Sequence, residues 1–77
     1  MFISIKNLTS LIDDTIKYYI EGMNSKSNHT EEEFNIWHIE IIKTITARMN
    51  RLKELSSNKN LISKYESKIN SLFEQYE

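Results

Sequence analysis

The chain has no proline and only one glycine, Gly22, in 77 residues. Proline and glycine are the strongest interruptions of a helix, so a chain almost without them is constrained to a few long helices. Breaks must then come from polar runs. Two are present: Asn-Ser-Lys-Ser-Asn-His over 24–29 and Ser-Ser-Asn-Lys-Asn over 56–60. Both are rich in residues whose side chains compete with helical backbone bonding.

The three segments between these runs each carry a helical stripe. In the first, Ile5, Leu8, Ile12, Ile16, Tyr19 and Met23 recur at three- and four-residue steps, with Ile20 beside them. Ser4 is placed to cap its start. Gly22 is expected to end it, because glycine reaches the left-handed backbone conformation without strain. The second segment opens with Thr30-Glu31-Glu32-Glu33, a capping box, and its three carboxylates lie at the positive end of the helix dipole. Its stripe is Phe34, Trp37, Ile41, Ile45, Met49 and Leu52, flanked by Ile42 and Leu55. The third places Ile62, Tyr65, Ile69, Leu72, Phe73 and Tyr76 on one face. Short links favour antiparallel neighbours. The expected fold is therefore all-α: a small up-down-up three-helix bundle, with helices at about 4–22, 31–56 and 60–76 and a long central helix, forming one helical domain over 1–77.

A chain this short buries a small share of its surface and usually needs a staple. With no cysteine, neither disulfides nor thiolate metal sites can supply one. A partner chain can. At 100° per residue, Ile36 and Ile39 fall outside the stripe of the second segment, and Tyr18 points away from that of the first. These three residues are the expected partner or dimer contacts, and a homodimer through the central helix is the expected assembly.

Chemistry is sparse. There is no glycine-rich phosphate loop, nucleophile motif or Ser-His-Asp pattern, so no enzyme activity, cofactor or metal is expected. His38 lies inside the apolar arc and reads as a histidine at the edge of the core. Asp13 and Asp14 point about 100° apart and read as solvated surface. His29 and Glu33 have ligand spacing, but His29 precedes the cap and lies outside the helix. The aromatic residues, Tyr18 apart, read as core.

Net charge is −1 with 27% charged residues, which is not the footprint of a nucleic-acid binder. Lys43, Arg51 and Lys59, together with Arg48 and Lys53, form at most a weak phosphate-contacting edge, and the central helix is too long for a helix-turn-helix. Met1 to Leu8 lacks the apolar core of a signal peptide, and no apolar run reaches 18 residues. A cytoplasmic protein without a membrane span is expected. Two Asn-x-Thr sequons, at Asn7 and Asn28, read as coincidence. Ile, Lys and Asn supply 28 of the 77 residues, an AT-rich codon usage pointing to a low-GC bacterium or its phage.

In size and patterning the chain resembles the broad category of short helical bundles that includes bacteriocin immunity proteins and small phage regulators. The expected function is that of a non-catalytic protein–protein interaction module, a stoichiometric regulator or inhibitor of an unknown protein target. The alternatives are a nucleic-acid-associated regulator and a bacteriocin-type immunity protein.

Overall fold

A computed structural model describes residues 4–76. The first three residues of the Met1–Leu8 segment lie outside that range. Three helices form: α1 (Ile5–Asn24), α2 (Glu31–Leu55) and α3 (Lys59–Gln75), with a single 3-10 turn at Lys26–Asn28 between the first two. Among the described residues there is no strand. The three-helix, all-α expectation holds, and the two polar runs are where the chain turns.

Each helix begins with a side-chain cap. The Ser4 hydroxyl accepts from the Asn7 amide at 3.1 Å, and the Asn58 side chain accepts from the Leu61 amide at 3.2 Å. At α2 the full box forms. Thr30 Oγ1 accepts from the Glu33 amide at 3.2 Å, while Glu33 Oε1 accepts from the Thr30 amide at 3.2 Å. The Thr30 hydroxyl also donates to Glu33 Oε1 at 2.8 Å. These hydrogen bonds, the side-chain one first, hold the Glu33 carboxyl below its ordinary pKa of 4.5, with the charge of His29 adding a little. A depressed carboxyl stabilises the fold fully above its unfolded pKa and loses that contribution as pH falls through the folded value. Thr30→Ala is expected to cost about 1 kcal/mol in urea unfolding at neutral pH. That difference from wild type should shrink in acid, once Glu33 is protonated in both chains.

The end of α1 departs from expectation. The helix does not stop at Gly22; it continues to Asn24, and the Ser25 amide closes it on Glu21 and Gly22 carbonyls at 3.1 and 3.2 Å. Gly22 has no positive φ. Its lack of a side chain serves a different need. A Cβ there would come within 2.9 Å of Trp37 Cε2, and nearer still to the outer atoms of the indole. Gly22 is the point where the Trp37 ring lies on the backbone of α1. The second link is also shorter than expected, Ser56 to Asn58, since Lys59 and Asn60 already belong to α3.

Topology follows from the pairs that touch. Thr15 meets Arg48, Tyr19 meets His38 and Gly22 approaches Trp37, so α1 and α2 are antiparallel. Lys53 pairs with Glu66 at 3.4 Å, linking the end of α2 to the first half of α3. Asp13 meets Tyr65 and Lys68, while Tyr19 meets Phe73 and Tyr76, so α1 and α3 run parallel. This is the up-down-up order, with the third helix folded onto its own chain.

The core joins all three helices. Leu8, Ile12, Ile16 and Tyr19 meet Ile41, Ile45, Met49 and Leu52, with Tyr65, Ile69 and Leu72 from α3. Its ends are looser than the stripes suggest: Ile5 and Leu55 are each 38% exposed. The Cα atoms span 41 × 28 × 15 Å with a radius of gyration of 13.5 Å. A compact chain of this length has a radius of about 11.5 Å. The bundle is elongated and broad, which leaves a large fraction of α2 uncovered.

Candidate functional site

The outward side of α2 is the first feature the fold leaves open. Ile36 is 60% exposed and Ile39 is 54% exposed, so neither finds a partner in the other two helices. With Glu32 and Lys43, both exposed, they recur at steps of four, three and four residues. At 100° per residue the four fall within an arc of about 60°, roughly opposite the buried stripe. Two isoleucines form the middle of this strip, a carboxylate lies at one end and an ammonium at the other. Neither Glu32 nor Lys43 makes an ion pair among the described residues. Glu32, expected as a helix-start carboxylate, and Lys43, expected as part of a basic edge, thus share one face with the two isoleucines.

Beside this strip lies a groove between α1 and α2, away from α3. It follows from the Gly22–Trp37 approach, which brings the indole across the helix pair as a low wall. On either side of that wall are shallow concavities of about 390 and 400 Å³, both lined by Tyr18 and Trp37. Tyr18, 59% exposed, meets Trp37 edge-on with ring centroids 6.3 Å apart. Asp14 and Glu21 from α1 and Glu33 and Glu40 from α2 line the sides. Arg48 closes one end, donating to the hydroxyl of Thr15, which itself donates to the Leu11 carbonyl at 2.6 Å.

The titratable groups near the core are taken up by packing. His38 is half-buried, stacks on Phe34 at 5.6 Å and 13°, and has Nε2 3.3 Å from the Tyr19 hydroxyl. That is the core-edge histidine expected from the sequence. Tyr19 is packed among Trp37, Phe73 and Tyr76 at centroid distances of 5.9 to 6.0 Å. Burial, then the nearby Tyr76, raises its phenol above the usual 10.0.

Asp13 stays at the surface as expected, yet has a specific task there. It accepts from the Tyr65 hydroxyl at 3.0 Å and from Lys68 Nζ at 3.0 Å, tying α1 to α3. Burial, and then this bond to Asp13, raises the Tyr65 phenol above 10.0. Asp14 points into the groove.

The candidate phosphate contacts are dispersed. Lys43 belongs to the outward strip of α2. Arg51, two turns further along, is held by Glu54 at 3.1 Å, and Lys59 opens α3. His29 lies in the link before Thr30, and Glu33 is committed to the capping box. Among the described residues no three His, Asp or Glu side chains converge as metal ligands. No helix among them is long and apolar enough to cross a membrane. No family model, curated protein or solved structure matches this chain.

Proposed function

We propose that this chain is a non-catalytic protein-binding module that works as a pair of identical subunits and modulates a larger protein stoichiometrically. The observation that carries this reading is the exposure of Ile36 and Ile39 on a helix whose opposite face is already filled. Full burial of an isoleucine is worth about 1.5–3 kcal/mol, and with Ile36 60% and Ile39 54% exposed roughly half of that is still to be gained by covering each one. A bundle of this size has little core to spare, so covering that strip is the simplest source of added stability. The reading of a regulator or inhibitor rests further on the shape of what remains. An aromatic wall of Tyr18 and Trp37 between acidic sides can receive a partner's side chains.

The test is a double substitution, Ile36→Asp with Ile39→Asp. Both positions are solvent-facing, so the circular dichroism spectrum and urea midpoint of the isolated chain should barely change. Self-association, followed by light scattering, should disappear. Association that survived the double change would place the contact on another surface.

A further inference from the structure

Building on the paired reading above, we infer that two copies join through α2 in an antiparallel arrangement, with Ile36 against the partner's Ile39 and Glu32 against the partner's Lys43. A two-fold interface brings the same patch of both chains together, so the patch must match its own reversed image. The strip Glu32, Ile36, Ile39, Lys43 does, because its spacing of four, three and four residues reads the same in both directions and its end charges are opposite. It is also the spacing of a helix–helix seam.

Rotation by two-fold symmetry about a point level with the Trp37–His38 peptide sets Ile36 on the partner's Ile39 and the reverse. The same rotation places both Glu32–Lys43 pairs across the contact, and it sets Asn35 beside the partner's Glu40. Other arrangements lose this match. Parallel pairing sets Glu32 beside its own copy and Lys43 beside its own copy, and like charges repel. Sliding an antiparallel pair by about one turn sets Ile39 against the partner's Glu32, or Ile36 against the partner's Lys43. The core, α1 and α3 all lie on the other side of α2, so nothing in the bundle obstructs the approach. Four isoleucines and two exposed ion pairs cover less than the roughly 1,200–2,000 Å² of a stable interface. The pairing is accordingly weak and concentration-dependent.

The chain has no cysteine, so introduced thiols can report the register without interference. Two single variants, Glu32→Cys and Lys43→Cys, are treated with a short bismaleimide separately and as an equimolar mixture, after circular dichroism confirms that both fold. Within one helix the two positions are about 16 Å apart, beyond the linker when the wrong pair is presented. The expected result is a cross-linked product in the mixture alone, with mass spectrometry finding one copy of each variant. In that mixed pair the second Glu32–Lys43 contact is intact. Cross-linking of either variant with itself, at the yield of the mixture, overturns the antiparallel register while leaving the paired reading in place. If no sample cross-links but the wild-type mass still doubles, the interface lies elsewhere and the inference fails. An absence of cross-links together with a wild-type mass of 9.2 kDa at every concentration overturns the inference and the paired reading together.

Discussion

Leu52→Ala should remove about 2–5 kcal/mol of stability. Leu52 has no exposed surface, and the alanine would leave a cavity where the packed side chains of three helices meet. A domain of this size has a total stability of roughly 4–12 kcal/mol, so the variant loses a large part of it. In thermal unfolding followed by circular dichroism, each 1 kcal/mol corresponds to about 4–8 °C here. The control lies one turn on. Leu55 faces the same way in sequence terms but is 38% exposed, and Leu55→Ala should cost about 1 kcal/mol or less. Similar losses at the two positions would contradict the placement of the core.

Gly22→Ala should destabilise the protein by about 1–2 kcal/mol, although an ordinary glycine inside a helix gains up to about 1 kcal/mol from the same change. The sign is set by Trp37. The added methyl group would occupy the position of the indole ring, which is pushed off α1 and loses its packing there. A red shift of tryptophan fluorescence should accompany the loss, and Trp37 is the only tryptophan, so the signal is unambiguous. In a Trp37→Ala background the obstacle is gone, and Gly22→Ala should then stabilise by about 0.5–1 kcal/mol. Stabilisation by Gly22→Ala in the wild-type background would show that the close approach of α1 and α2 is wrongly placed.

These two positions mark how far the fold could be read from residue order. Leu52 is legible because helical burial is periodic: the three- and four-residue steps of Phe34, Trp37, Ile41, Ile45, Met49 and Leu52 identify the inward face without knowledge of any partner. The capping box was legible because Thr30 and Glu33 are neighbours and their contact depends on nothing else. Gly22 escapes local reading for the opposite reason. Its position near the end of the stripe matched a local stop signal, while its actual role is set by a side chain fifteen residues away, across a loop. The link between Asp13 and Tyr65 spans 52 residues. Periodicity places each residue on its helix but does not align one helix with another. The outward strip of α2 was half legible. Ile36 and Ile39 stand out by their departure from the stripe, whereas Glu32 reads as a helix-start carboxylate and Lys43 as part of a basic edge, because each charge has an ordinary local explanation. Only a view of the whole outward face joins the four. The groove beside it depends on Gly22 and Trp37 together, so it followed the glycine out of sight.

The central claim is that the outward face of α2 is a binding surface, occupied first by a second copy. The measurement that tests it most directly is solution mass by size-exclusion chromatography with light scattering, from about 10 µM to about 1 mM, the range in which so small an interface should associate. The account predicts a mass that starts near 9.2 kDa and climbs towards twice that value as concentration rises. A mass that stays at 9.2 kDa throughout would contradict it, because Ile36 and Ile39 would then be left facing water even where self-association is most favoured.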